Sequence, residues 1–251
     1  MNLERLESLV GSTNLEKIKS LNILIVGIGG VGGYTLESLV RCGVENITIV
    51  DFDKVESSNL NRQIISSLTN IGKLKVEVAK ERYSNINNKL NLKCLPIFLN
   101  KDNINKINIE EYDYVVDACD SVNTKVLLMQ ECILKNIKII SSMGTAKKMD
   151  ATKLSITSLD KTNYDKLAKK LRTLVDKKIQ RKIKVVSSSE QVKDIKVLGS
   201  NSFVPASSPS RLALAFRSSK DWIASSRSRS LRWILNPLIS EEWAPMIFTA
   251  M

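Results

Sequence analysis

The feature that most constrains this 251-residue chain is a glycine-rich turn between an apolar run and a helical pattern. The run NILIV at residues 22–26 precedes GIGGVG at 27–32, a helical pattern follows at 31–41, and a second apolar run, NITIV, occupies 46–50. This order predicts a βαβ unit with two parallel strands and a right-handed crossover. Backbone amides at the start of such a helix favour a phosphate ligand.

The alternation of apolar runs and helical patterns continues along the chain. It predicts a helix near 74–86, a strand near 93–98, a strand at 114–118, a helix near 123–135 and a strand at 137–141. Beyond residue 150, KLSIT and KIKVVSS are interpreted as strands that flank a basic helix. The predicted fold class is α/β, a Rossmann-like, doubly wound, mostly parallel sheet with helices on both faces and a C-terminal basic extension.

Composition excludes several classes of protein. No stretch approaches the roughly 18 apolar residues of a membrane-spanning helix, and the polar start lacks a signal-peptide core, so we expect a cytoplasmic protein. The chain has no histidine, which excludes Ser-His-Asp and Cys-His mechanisms. Its four cysteines form no CxxC pair and indicate neither a zinc site nor a disulfide framework, and Cys132 is interpreted as a core residue.

Charge and composition divide the chain into segments. The net charge is +12; residues 1–159 have 20 Lys and Arg against 18 acids, whereas residues 160–200 have 12 against five, a surplus of seven. A concentrated basic segment is typical of a surface that binds a phosphate backbone, although it also occurs on ordinary solvated helices. We expect an N-terminal helical segment at 1–20, a nucleotide-binding domain at 21–206, and an atypical tail at 207–251.

The tail at 207–251 differs in composition from the rest of the chain. Residues 206–251 hold five Arg to one Lys, ten Ser and all three Trp, whereas residues 1–205 hold 26 Lys to six Arg. Its amphipathic periodicity is weak, so we expect it to be disordered or loosely packed.

Residues beyond the second strand indicate which nucleotide is bound. Asp51 ends that strand and suits a ribose hydroxyl, which fits a dinucleotide or a mononucleotide. The stretch DFDKVESSNLNRQ then supplies Arg62, and GKLK supplies Lys73 and Lys75. Two cations beside a glycine turn favour a triphosphate over the pyrophosphate of a dehydrogenase cofactor. Asp120, after VVDAC, is either a Mg²⁺ ligand or an N-cap of the next helix.

The motifs GIGGVG, DFDKVESSNLNRQ, GKLKVE and VVDACDS, in this order and spacing, resemble the ubiquitin-activating-enzyme-like superfamily that adenylates carboxylates. The match spans residues 20 to about 145. The later segments SSMGTAKKMDATKLSITSLDKTNYDKLAKKLR and VLGSNSFVPA look like the tRNA threonylcarbamoyladenosine dehydratase branch and extend it to about residue 206. The chain departs from the family pattern at Ile65, where a histidine is common, and in the tail, which replaces a small apolar helix.

The resemblance implies that residues 21–206 form an ATP-binding adenylation domain that uses ATP and Mg²⁺. It implies adenylation of the carboxylate of threonylcarbamoyladenosine in a tRNA anticodon stem-loop, followed by ring closure with loss of water. It places Arg62, Lys75 and Asp120 in catalysis, with Asp120 on the metal; the implied nucleotide-binding set is Gly27, Gly29, Gly30, Gly32, Asp51, Asp53, Ser58, Asn59, Arg62, Lys75, Asp120 and Ser121. A homodimer is expected, and a sulfur-transfer protein is a further candidate partner.

Two other hypotheses stay open on the sequence. One is an enzyme that adenylates the C-terminus of a ubiquitin-like sulfur carrier, which the absence of CxxC cysteines disfavours. The other is a nucleotide-binding protein without catalytic activity, which would bind ATP without releasing pyrophosphate.

Overall fold

The computed structural model describes residues 1–191, so the predicted tail at 207–251 and the end of the basic segment at 160–200 lie outside the described residues. The strands are β1 (Asn22–Val26), β2 (Asn46–Val50), β3 (Asn91–Leu95), β4 (Tyr114–Asp117), β5 (Lys138–Ser142), β6 (Leu154–Ser158) and β7 (Lys184–Ser188). The α-helices in this part are α1 (Glu4–Val10), α2 (Ser12–Ser20), α3 (Gly32–Arg41), α4 (Lys75–Ser84), α5 (Val122–Leu134), α6 (Lys166–Leu174) and α7 (Lys177–Lys182).

Most predicted elements lie within two residues of their observed bounds. The strand predicted near 93–98 is the main shift, because β3 runs from Asn91 to Leu95 and ends before Pro96, which has no amide hydrogen to donate to a ladder. The predicted basic helix is two helices, α6 and α7. The break falls at Asp176, whose side chain accepts a hydrogen bond from the amide of Lys178 and caps α7.

The seven strands form one sheet in the order β3-β2-β1-β4-β5-β7-β6. All neighbours pair in parallel except β6 and β7, which are antiparallel. The chain moves outward from β1 through β2 to β3, then returns to place β4 on the other side of β1. The strand order therefore reverses between β1 and β4, and in open α/β sheets ligands bind at the carboxyl ends of the strands at such a point. The predicted α/β class with a doubly wound, mostly parallel sheet is confirmed.

Both faces of the sheet are covered by helices. Leu24 and Val26 of β1 belong to a core cluster with residues of β4, α5 and α6, whereas Ile23 and Ile25 alternate with them and belong to the opposite face. On that opposite face α3 contacts both β1 and α4, and all three elements contribute fully buried apolar side chains. Burial on both faces explains why the parallel strands are nearly continuous apolar runs.

The basic segment is part of the sheet structure up to β7. The helices α6 and α7 connect β6 to β7, and β7 inserts between β5 and the edge strand β6. Residues 160–188 therefore contribute to the core through their apolar residues Leu171, Ile183 and Val185, which are fully buried.

Candidate functional site

The glycine turn after β1 packs against the segment that follows β4. Gly27 has φ +86°, and a Cβ built on it would lie 2.8 Å from the carbonyl oxygen of Ala118 and from backbone atoms of Cys119. A Cβ on Gly32 would lie 1.8 Å from the carbonyl oxygen of Gly27. The close approach of these backbones therefore requires glycine at both positions, independently of any ligand.

Gly29 is different, because little in the protein itself excludes a side chain there. A Cβ built on Gly29 would meet only the amide nitrogen of Gln63, at an ordinary distance of 3.7 Å. The residue precedes the ten-residue helix α3, and its carbonyl oxygen accepts a hydrogen bond of 3.0 Å from the amide of Gly33 in the first turn of that helix. Open space over a glycine backbone at a helix N-terminus suits a phosphate group.

Asp51, at the end of β2, braces the glycine turn. Its Oδ2 accepts a hydrogen bond of 2.8 Å from the amide of Ile28, and its Oδ1 accepts one of 2.9 Å from the amide of Asp53. Burial raises the pKa of the Asp51 carboxyl, although these two amides oppose that effect. Each carboxylate oxygen can accept a further hydrogen bond, so the structural role is compatible with the predicted contact to ribose.

The structure distinguishes the two lysines of GKLK. Lys75 opens α4, its side chain is 6% exposed, and its Nζ lies 2.8 Å from Oδ2 of Asp53. The backbone amide of Lys75 also donates to the carbonyl oxygen of Asp53, at 3.0 Å. Lys73 is exposed. A largely desolvated ammonium, paired with the residue two positions after Asp51, therefore lies at the carboxyl edge of the sheet, as the resemblance implies for Lys75.

The segment 56–62 forms an ordered 3-10 turn. Asn59 is 6% exposed, and its Oδ1 accepts from the amide of Glu56 at 3.1 Å, which closes a capping box. Nη1 of Arg62 donates to the carbonyl oxygen of Ser58 at 2.6 Å and to the side chain of Asn61 at 3.1 Å. Asn59 therefore holds the turn, and Arg62 is anchored through one of its two terminal nitrogens.

Gln63 is a candidate that the list of predicted residues omits, although it ends the DFDKVESSNLNRQ motif. Its side chain lies beside Gly29 and the residue is 7% exposed. Its Oε1 is buried and has no hydrogen-bond partner among the described residues. An unpaired buried polar atom lowers the stability of a protein by about 1–3 kcal/mol, and nearly all buried polar atoms in native proteins have a hydrogen-bond partner. This orphaned acceptor fits a hydrogen-bond donor of a bound ligand, such as a hydroxyl group, near Gly29.

Asp120 and Ser121 follow β4 and have separate environments. Ser121 is the N-cap of α5, since its Oγ accepts from the amide of Thr124 at 3.3 Å. Asp120 is exposed and has no hydrogen bond or ion pair within residues 1–191. It therefore is not the cap, and its carboxylate is available to a cation.

The oxygen ligands at this edge of the sheet fit a Mg²⁺ ion that is bound together with the phosphates of a nucleotide. No group of three or more potential metal-ligating side chains occurs in the described part of the chain. Mg²⁺ prefers oxygen ligands and commonly uses one or two carboxylates with substrate phosphates, so Asp120 alone is a sufficient protein contribution.

Two partly exposed aromatic rings contact each other just beyond the carboxyl ends of β2 and β3. Phe52 is 51% exposed and Phe98 is 46% exposed, and their ring centroids are 5.1 Å apart in an edge-to-face arrangement. The loop carrying Phe98 is tied to the start of α5, because Thr124 Oγ1 donates to the carbonyl oxygen of Leu99 at 2.8 Å. This loop therefore links the carboxyl end of β3 to the start of α5, which follows β4.

The four cysteines are free thiols. Cys132 is fully buried in the core cluster, and burial raises the pKa of its thiol to about 12, which agrees with the predicted core role. Burial also raises the pKa of Cys119, beside the glycine turn. Ile65, at the position of the family histidine, is a buried apolar residue. The described residues contain no helix long and apolar enough to cross a membrane.

The arrangement is a nucleotide site of the type built at the switch point of a doubly wound sheet, and comparison with known proteins assigns it to a family. Residues 3–202 match the ThiF family, and the chain belongs to it. The tRNA threonylcarbamoyladenosine dehydratase of Bacillus subtilis is 37% identical over 187 residues, which cover 74% of this chain and 74% of that protein. The Escherichia coli protein of the same name is 38% identical over 164 residues, which cover 65% of this chain and 61% of that protein.

A solved structure agrees with this assignment. The crystal structure of the E. coli tRNA N6-threonylcarbamoyladenosine dehydratase in complex with ATP has a TM-score of 0.82 and 31% identity. The match covers 89% of this chain and 94% of the solved one. The same relative has also been solved with AMP.

Proposed function

We propose that the protein is an ATP-dependent enzyme that adenylates the carboxylate of threonylcarbamoyladenosine in tRNA and closes a ring with loss of water. The observation that carries this proposal is the agreement in fold with the ATP complex of a dehydratase of that specificity, over 89% of the chain. The open backbone at Gly29 and the orphaned oxygen of Gln63 support a nucleotide in the corresponding place.

The reaction has two steps. A carboxylate oxygen of the modified base attacks the α-phosphorus of ATP, the bond to the β-phosphate breaks, and pyrophosphate leaves. A nucleophilic atom of the same modified base then attacks the acyl carbon; AMP leaves with the bonding electron pair, and the nucleophile loses its proton. The carboxylate is already ionised at pH 7, so the first step needs no protein base. This chemistry is consistent with a chain that has no histidine.

The residues at the carboxyl edge of the sheet have separate roles in this reaction. Lys75 and Arg62 neutralise charge on the phosphates and on the leaving pyrophosphate, and amides of the glycine turn hold the α-phosphate against the incoming carboxylate. Asp51 accepts from the ribose, while Asn59 and Ser58 keep the turn that carries Arg62 in place. The partly exposed rings of Phe52, which follows Asp51 in the chain, and of Phe98, which contacts Phe52, supply apolar surface for the adenine.

Asp120 would hold Mg²⁺, which when bound withdraws negative charge from the phosphates. Ser121 fixes the start of α5 and thereby the backbone on which Asp120 stands. Asp53 holds the ammonium of Lys75 in place before ATP arrives.

The partner is tRNA, with the modified anticodon stem-loop as the reacting part, and we infer a cytoplasmic homodimer from the family resemblance. A sulfur carrier protein is the alternative substrate, and a sulfur-transfer protein would then be the partner. Against it stand the absence of a CxxC pair from the sequence and of a metal-ligating cluster from residues 1–191. The relatives reported above are also named for the tRNA reaction.

The test is a direct assay. The purified full chain is incubated with ATP, Mg²⁺ and tRNA bearing threonylcarbamoyladenosine, the tRNA is digested, and mass spectrometry measures the nucleoside. We expect a nucleoside lighter by one water, formed only with ATP and lost in Asp120→Asn with an unchanged melting temperature. If the nucleoside keeps its mass while pyrophosphate is released with a carrier peptide, the alternative replaces this proposal.

A further inference from the structure

The surface around α6 and α7 holds a dense set of cations without partners. Eight lysine and arginine side chains between residues 161 and 182 are exposed, among them Lys166, Lys169 and Lys170 of α6. None of them forms an ion pair within the described chain. The exposed acids of the same stretch are Asp160 and Asp176, and Asp176 already caps α7. The face therefore keeps a strong positive potential that attracts a polyanion.

The start of α6 lies at the same edge of the sheet as the nucleotide site. Asp165 caps α6, accepting from the amide of Ala168 at 2.9 Å. Its carboxylate lies 3.4 Å from a Cβ built on Gly144, which follows β5, and 3.5 Å from the hydroxyl of Ser187 near the end of β7. The carboxyl ends of β5 and β7 thus meet α6 at its first turn. Since β7 is two strands from β4, this turn is about 10 Å along the sheet edge from the strand that precedes Asp120.

A buried lysine binds the backbone carbonyl group of the residue that precedes Asp165. Lys148 is 2% exposed, and its Nζ donates to the carbonyl oxygen of Tyr164 at 3.0 Å and also to that of Glu190. Tyr164 has φ +53°, a left-handed conformation that non-glycine residues rarely adopt, yet the residue is 59% exposed. Such backbone strain persists only where surrounding contacts impose it, and it concentrates at functional positions. The structure therefore holds an exposed aromatic ring at the head of a basic helix.

We infer that Tyr164 and the first turns of α6 form the docking surface for the RNA substrate. The ring of Tyr164 stacks on a base, and Lys166, Lys169 and Lys170 contact phosphates beside it. An aromatic platform among unpaired cations is the arrangement by which proteins hold unpaired nucleotides. This inference rests on the proposed function and deepens it, because it places the tRNA on a defined face next to the adenylation site.

The surface is tested by tRNA binding with matched charge changes. The variant is K166Q/K169Q/K170Q, and the control is K80Q/K89Q/K93Q, which removes three exposed charges around α4 and β3 at the opposite end of the sheet. We expect K166Q/K169Q/K170Q to weaken tRNA binding at least tenfold. The slope of log affinity against log salt is negative, and its magnitude should decrease by about 2 in this variant. The control should change affinity less than threefold, and ATP affinity should be unchanged in both.

Tyr164 is tested separately, because its contribution is not charge. Tyr164→Ala should weaken tRNA binding about tenfold without changing the salt slope, and Tyr164→Phe should restore the affinity. Equal losses in the two triple variants, or wild-type affinity in Tyr164→Ala, would overturn the inference while leaving the dehydratase reaction intact. A wild-type chain that neither binds nor converts the modified tRNA overturns the proposed function as well.

Discussion

The Nζ of Lys125 lies 3.0 and 3.1 Å from the two carboxylate oxygens of Asp117, and neither side chain is exposed to solvent. Lys125 also donates to the carbonyl oxygen of Ser142, while the hydroxyl of Ser141 donates to Asp117 at 2.5 Å. The pair thus joins α5 to the carboxyl ends of β4 and β5. Asp117 also accepts from the amide of Cys119, so it orients the segment that leads to Asp120.

Removing Lys125 should destabilise the protein strongly. Lys125→Met leaves the carboxylate of Asp117 buried without its cation, and breaking a buried pair from one side costs about 3–5 kcal/mol. Chemical denaturation should therefore show a lower free energy of unfolding by roughly that amount. The double variant Lys125→Met/Asp117→Asn should cost less than the sum of the two single changes, because no unpaired charge remains. Additive losses would mean that the two groups do not act as a pair.

Substitution by alanine should affect stability at Gly32 and ATP affinity at Gly29. Gly32→Ala places a Cβ 1.8 Å from the carbonyl oxygen of Gly27, so the free energy of unfolding should fall by more than about 2 kcal/mol. Gly29→Ala meets an ordinary contact of 3.7 Å and should change stability by less than about 1 kcal/mol, while ATP affinity falls about tenfold or more because the methyl group occupies phosphate space. Denaturation and ATP titration separate the two effects. Wild-type ATP affinity in Gly29→Ala would place the phosphates elsewhere.

The two lysines of GKLK form a matched pair for catalysis. Lys75→Met removes a largely buried ammonium from the sheet edge and should lower kcat for the dehydrated nucleoside by about 10²–10³-fold, the usual loss for one group that stabilises transition-state charge. Lys73→Met, at an exposed position, should stay within about threefold of wild type. The readout is product formation at saturating ATP. Equal losses in both variants would argue for a diffuse electrostatic effect and against a specific role for Lys75.

The individual strands and the glycine turn could be predicted from the sequence because their signals are local. A buried parallel strand is a continuous apolar run, and a turn that brings Gly32 against Gly27 accepts no other residue. Asp51 is predicted by its position at the end of the second strand, whereas only the family resemblance favours Lys75 over Lys73. In the structure Asp53 contacts both Asp51 and Lys75.

Contacts between distant residues could not be predicted in this way. Lys125 looks like a surface lysine of an amphipathic helix, and only the packing of α5 on β4 and β5 makes it a buried partner of Asp117. Two further features also depend on the folded backbone: the unpaired Oε1 of Gln63 and the hydrogen bond from Lys148 to the carbonyl oxygen of Tyr164. The helical pattern of the basic segment outweighs the capping signal of Asp176 in the sequence, so the sequence predicts one helix where the structure has two.

The contact between α3 and α4 should make stability depend on pH in the acid range. Glu37 of α3 receives hydrogen bonds from Arg41 at 2.5 Å and from Arg82 of α4 at 3.0 Å. Burial opposes ionisation of Glu37, but the bonds from Arg82 and Arg41 outweigh it and lower the pKa of its carboxyl. Because the unfolded chain then binds the proton more tightly, this stabilisation is complete above the ordinary Glu pKa of about 4.3 and is lost as pH falls through the lower folded value.

Comparison with Glu37→Gln isolates that contribution. The difference in free energy of unfolding between wild type and Glu37→Gln should be level from about pH 6 to 8 and should shrink below about pH 4.3, as measured by urea denaturation across the range. Glu81→Gln is the control, since Glu81 lies in α4 next to Arg82, is exposed, and has no ion pair within residues 1–191. Its effect should stay small at every pH. A difference for Glu37→Gln that grows as the pH falls would contradict the lowered pKa, because the charged carboxylate would then be the less stable form in the folded protein.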